Sequence, residues 1–178
     1  ALGWSGTPLQ WHGLEKAISV MAIVIVPVAV SVHSVVSWDF AMSLNPMWHS
    51  TIFGPYFVVG AIFSGIAALI VAMVVLRRVF HLEAYLQPVH FSNLGLLLLT
   101  MAILWAYFTF AEYLTTWYGG LPEEMAAFRY RVDGKLSPFF WGMIVTNVII
   151  PIPLLAFRRT RTVTGCFVAS VLILIGMW

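Results

Sequence analysis

Residues 30–50 read VSVHSVVSWDFAMSLNPMWHS. An oily run carries His33 and, six positions later, Asp39, just before a turn marked by Pro46. On an α-helix the two side chains point about 120° apart and ~9 Å apart along the axis. They line one cavity rather than form a tight pair. Ser31, Val35 and Asp39 share one stripe of such a helix, and His33 and Ser37 another. Pro27, in the middle of the same run, removes an N–H and frees the Ile23 carbonyl. An ionisable group in such a run costs a few kcal/mol to place in a bilayer (~2.5–3.5 on insertion scales) and is kept for a task. Two readings of the pair follow. Asp39 caps the helix at headgroup level while His33 bonds a neighbouring helix, or the two accept protons from a substrate that must shed them.

The whole composition agrees with a membrane setting. With 61% hydrophobic and 9% charged residues, the chain cannot wrap one soluble core in a polar surface. The fold expected is an all-α membrane protein. A formal net charge of +2 gives no reason to expect nucleic acid. A single cysteine, Cys166, forms neither an internal disulfide nor a thiolate metal site, and no metal is expected. No signal-peptide pattern precedes the polar N-terminal stretch ALGWSGTPLQWHGLEKA.

Uncharged runs long enough to cross ~30 Å of hydrocarbon fall at 17–38, 52–76, 92–117, 138–157 and 162–178. About five transmembrane helices are expected: a four-helix bundle plus part of a further helix. The links, 39–51, 77–91, 118–137 and 158–161, carry Pro46, Pro88, Pro122 and Gly119–Gly120 as turn signals. Short links imply antiparallel neighbours. The last run meets no polar flank at Trp178, so the chain is expected to belong to a longer subunit. In the second run, Gly60 with Ser64 and Ala61 with Gly65 form two small-residue rows suited to close helix packing.

Positive charge orients the bundle. Lys16, Arg77, Arg78, Arg158, Arg159 and Arg161 fall on one side, and Arg129, Arg131 and Lys135 on the other. The first side is expected to be cytoplasmic. That puts His33, Asp39, His49 and Glu112 toward the outer face, with Trp38, Trp48, Trp117, Tyr118 and Trp141 as interfacial aromatics. Glu112 shares a helical face with Trp105, Thr109 and Thr116, a polar stripe that faces a bundle interior or a partner charge, or else reaches up to the interface. Thr146 and Asn147, ahead of Pro151 and Pro153, are expected to hydrogen-bond between helices at a kink.

A bis-histidine haem needs two imidazoles facing each other at one depth. Only His33 with His49, or His81 with His90, share a side, and His49, His81 and His90 read as loop residues. No haem and no iron–sulfur cluster is expected in this chain.

Three runs, SVHSVVSWDFA, MWHSTIFGPYFVVGAIFSG and YFTFAEYLTTWYGG, resemble the NrfD-type membrane subunits of polysulfide and nitrite reductases. They most resemble the C subunit of alternative complex III, a quinol:electron-acceptor oxidoreductase of bacterial respiratory and photosynthetic chains, with its F subunit the near alternative. Such subunits have about ten helices in two four-helix bundles plus peripheral helices. The resemblance implies that residues 1–178 are one transmembrane region from the C-terminal half.

It further implies a multi-pass subunit of the bacterial cytoplasmic membrane, not catalytic alone, that supports oxidation of a quinol such as menaquinol. Electrons would pass to an iron–sulfur subunit and on to multihaem cytochrome c subunits, beside a second NrfD-like membrane subunit. Asp39, His33 and Glu112 are the expected proton-transfer residues, and Trp38 and His49 the expected quinol-side contacts. In the family the quinone pocket lies mainly in the first bundle, which would give His33 and Asp39 a role in proton transfer more than in binding. A structural anchor for peripheral redox subunits and a redox-coupled proton-channel subunit are the alternatives.

Overall fold

A computed structural model describes residues 3, 5–44 and 50–177. The chain divides into two compact units, residues 1–47 and 48–178. Among the described residues every regular element is helical. Four helical stretches are long and apolar enough to cross a membrane: Pro8–Leu44, Phe53–Val79, Pro88–Gly119 and Ser137–Ala156.

The first unit is α1, Pro8–Phe40, followed by a 3-10 turn over Met42–Leu44. The apolar run predicts a start at residue 17, yet the helix begins nine residues earlier. Thr7 caps it reciprocally with Gln10, and Pro8 occupies the first helical position, where its missing N–H is not needed. Hydropathy registers only the part of a helix that lies in oil, so Glu15 and Lys16 hid the first turns. Ser37 is the one buried residue of α1.

The second unit is a ring of four helical columns: α2 (Phe53–Val79), α3 (Pro88–Gly119), a broken column made of α5 (Ser137–Ile144), a π-helical segment (Val145–Ile149) and α6 (Pro151–Ala156), and α7 (Val163–Met177). α2 packs on α3 and α7, and α6 closes the ring by packing on the same two. α7 spans 15 residues, about 22 Å at ~1.5 Å per residue, so the fifth expected span is shorter than the hydrocarbon layer over its described length.

The link expected at 118–137 contains a helix, α4 (Pro122–Val132). Its apolar content is too low for a hydropathy scan. Its ends are nevertheless written for a helix, with Pro122 first, Glu123 and Glu124 in the first turn and Arg129 and Arg131 in the last, matching the macrodipole. Gly120, at φ 62°, closes α3 in the left-handed conformation. His90, read as a loop residue, lies in the first turn of α3.

Phe63, Ala67 and Ile70 of α2, Phe91, Leu98 and Ala102 of α3, Leu155 of α6 and Cys166, Ala169 and Ile173 of α7 are fully buried. In lipid such a core gains little from solvent exclusion and depends on close van der Waals fit. Three glycines permit that fit. A Cβ on Gly60 would sit 3.2 Å from Met177 Cε, one on Gly95 would sit 2.9 Å from Cys166 Sγ, and one on Gly176 would overlap Thr146 Oγ1. Of the two small-residue rows expected on α2, only the Gly60 row is in use at its glycine; Gly65 faces open space.

Candidate functional site

Glu112 is placed by the last third of α3. From Trp105 the same face runs through Thr109 and Glu112 to Thr116, as the spacing predicts. Trp105 and Thr109 are buried, and Glu112 is half-buried. Ser50, just ahead of α2, donates its hydroxyl to Glu112 Oε2 at 2.7 Å. A hydroxyl on a carboxylate is a charge-assisted bond, stronger than one between neutral groups. One turn deeper, Thr109 Oγ1 donates to the Trp105 carbonyl at 2.9 Å and lies 3.4 Å from the Tyr56 hydroxyl. The Tyr56 ring stacks on Trp105 at 5.8 Å between centroids, and Phe63 stacks on the same indole at 6.2 Å. A polar ladder therefore descends from the end of the bundle, Ser50 to Glu112 to Thr109 and Tyr56, and stops on a floor of aromatic rings.

The segment beyond α3 roofs this end. Tyr113, next to Glu112, packs on Phe128 of α4 at 5.7 Å and on Phe140 of α5 at 4.8 Å. A carboxylate and the hydroxyls of Ser50, Thr109 and Tyr56 thus stand along one polar strip at the bundle's end. Such a set can bind a hydroxylated ring and take up its proton.

Halfway along the broken column is a second polar feature. Pro151 and Pro153 supply no N–H, and the helical ladder widens so that the Ile150 N–H reaches the Val145 carbonyl at 3.0 Å. In this widened turn Asn147 is fully buried, and neither end of its amide has a hydrogen-bond partner. The interhelical bond expected of Asn147 does not form. Its amide instead lies against Gly176 of α7. Thr146, its neighbour, donates back to the Gly142 carbonyl at 2.9 Å.

His33 and Asp39 lie in the first unit and are exposed there. His33 Nδ1 lies 2.7 Å from the Ala29 carbonyl, one turn back on its own helix. Ser31 and Ser34 do the same, donating to the carbonyls of Pro27 and Val30 at 2.8 Å each. The Asp39 carbonyl accepts from Ser43. Trp38 is half exposed, at 50%. His49 lies outside the described residues, as does Trp48. The two units are each described alone, so the site built here is that of Glu112.

Sequence reasoning missed Ser50 and Tyr56, because each reaches Glu112 or its neighbours from another segment of the chain. The signals available were a serine and a tyrosine flanking the start of the second apolar run.

A family model described as Polysulphide reductase, NrfD, matches residues 4–178. The chain belongs to the NrfD family. It is therefore an integral, multi-pass membrane protein. NrfD proteins are membrane subunits of redox complexes of the quinol oxidoreductase type and pair with iron–sulfur electron-transfer subunits. No curated protein matches the chain.

Proposed function

We propose that this NrfD chain supports quinol oxidation at the end of its bundle opposite the arginine-rich links, as the C-type or F-type membrane subunit of an alternative complex III. The observation that carries the reading is the half-buried Glu112 carboxylate held by Ser50 above Thr109, Tyr56 and Trp105. A quinol gives up two electrons and two protons on oxidation. A base within hydrogen-bond reach of a ring hydroxyl takes up the proton as the electron leaves and lowers the barrier. Glu112 is that base, Ser50 connects it to the surface, and the half-buried Tyr56 offers a flat face for the ring, backed by the buried Trp105. The electrons leave for an iron–sulfur partner and then for c-type haems in further subunits. The subunit sits in the bacterial cytoplasmic membrane, with Asp39 and His33 of the first unit as further proton-handling residues and Trp38 as a quinol-side contact.

The test is quinol-dependent electron transfer in the assembled complex carrying Glu112→Gln, with subunit content measured beside it. Loss of a general base costs about 100-fold or more. Turnover is expected to fall by that amount with assembly intact. Unchanged turnover in Glu112→Gln and in Asp39→Asn alike would leave the chain a structural anchor.

A further inference from the structure

The arginine-rich end of the second unit carries an open groove that quinol chemistry does not use. Its volume is about 510 Å³, and Met73, Tyr85, His90, Asn93, Leu94 and Leu97 line it. The lining is graded. His90 and Asn93 lie in the first two turns of α3, beside the exposed Tyr85 of the α2–α3 link, whereas Leu97 lies about 10 Å further along the helix at ~1.5 Å per residue. The mouth is polar and the floor is apolar.

The charge around this end is one-sided. Arg77, Arg78, Arg158, Arg159 and Arg161 stand in the last turn of α2 and in the α6–α7 link, against Glu83 as the acid of these segments. Arg161 is already engaged, with Nε on Ser92 at 3.2 Å and a terminal nitrogen on the Leu155 carbonyl at 3.1 Å. Arg77 is not. Its guanidinium lies 5.9 Å from the centre of the Phe91 ring, and its Nε is buried without an acceptor. Arg77 follows Met73 by one turn on α2 and, without lining the groove itself, stands beside its α3 wall at Phe91, the neighbour of His90. His90 and Asn93 are exposed on α3 and present their imidazole and amide to the groove. A buried donor without an acceptor is costly, and Arg77 Nε beside a groove edged by an imidazole, an amide and a phenol suits a ligand rich in acceptor oxygens.

We infer that this groove binds an anionic phospholipid. Arg77 and His90 take the phosphate, Asn93 and Tyr85 the remaining headgroup polarity, and one acyl chain lies along Leu94 and Leu97 toward Met73. The excess of positive charge at this end selects an anionic over a zwitterionic head, since each nearby cation contributes roughly fivefold to anionic-lipid binding.

The experiment uses the assembled complex in neutral detergent, stripped of lipid and then offered phosphatidylglycerol or phosphatidylcholine in mixed micelles. Retained lipid is counted by native mass spectrometry. Phosphatidylglycerol should be held at least about fivefold better, and Arg77→Gln should remove about that factor. The exposed His90→Gln, which threatens folding less, should lower phosphatidylglycerol retention with the complex intact. Leu97→Trp, which fills the floor, should reduce retention of both lipids. Equal retention of the two lipids, a preference unchanged in Arg77→Gln and His90→Gln, or displacement of the lipid by a short-chain quinone would each overturn the assignment. Quinol turnover is read on the same samples. Lipid loss with normal turnover separates this groove from the Glu112 site.

Discussion

α1 and the four-column ring answer the same physical demand in opposite ways. Both must satisfy polar side chains inside apolar segments. In α1, His33, Ser31, Ser34 and Ser37 each turn back to a carbonyl of their own helix, so these bonds ask nothing of a neighbour. In the ring, Ser50 reaches Glu112 across 62 residues of sequence and Tyr56 meets Thr109 across 53. A polar group bonded within its helix leaves that helix free to be packed in many ways, whereas one bonded across helices fixes which neighbour it has and at what depth. The serines of α1 are held within their own helix, whereas the Ser50–Glu112 and Tyr56–Thr109 pairs of the ring specify architecture.

The comparison can be broken at its tightest point first. Gly176→Leu drives a side chain into Thr146 and Asn147, and overpacking of this kind costs about 3 kcal/mol or more. The expected outcome is loss of the folded bundle, read as a collapse of the monodisperse peak on size-exclusion chromatography. A normal peak would mean that α7 and the broken column are not held as close as described.

Next in size is Ser50→Ala. Removing a hydroxyl from a carboxylate forfeits about 1.5 kcal/mol, or roughly tenfold in quinol turnover. Thermal stability should fall as well, by about 1.5 kcal/mol, because the bond joins two segments. If stability falls while turnover holds, the Ser50–Glu112 bond is a clasp between helices and not part of a proton route.

Asn147→Leu sharpens the contrast by its sign. Replacing a buried, unpartnered amide with an apolar group of similar size is neutral or stabilising by about 1 kcal/mol. Unfolding in a denaturing detergent series checks it. A loss of more than about 1 kcal/mol would show that the amide has a partner after all, such as a bound water.

The smallest effect is expected in α1. Ser34→Ala removes a bond to its own helix and should change stability by less than about 0.5 kcal/mol. A larger change on the same assay would mean that this hydroxyl serves a neighbour as well.

The same contrast explains what could be read from the sequence. Spans of apolar residues located the membrane-crossing columns, because a helix in lipid must be oily along its length. The face carrying Trp105, Thr109, Glu112 and Thr116 was legible because all four residues lie on one helix, where spacing alone sets direction. Ser50 and Tyr56 were not, since their relation to Glu112 depends on how separate segments meet, and no local periodicity records that. α4 escaped because four charges in 11 residues defeat a hydropathy window even when the helix-end chemistry is favourable. The disengaged Asn147 was read as a bonded one. Its isolation depends on Gly176 pressing from α7, a contact nearly 30 residues away.

The widened turn at Val145–Ile149 also carries a historical consequence. A turn that bonds to the fifth residue back holds one residue more than an ordinary helical turn. Deleting one residue within it would restore the common spacing and leave α5 and α6 facing as they do now, with Leu155 still inward. The same deletion in the middle of α3 would rotate everything beyond it by about 100°, carrying Glu112 off its face. This short stretch is therefore where the column can change length by one residue and keep its alignment. Variation in chain length among bundles of this kind is expected to collect there, not in the uninterrupted columns beside it.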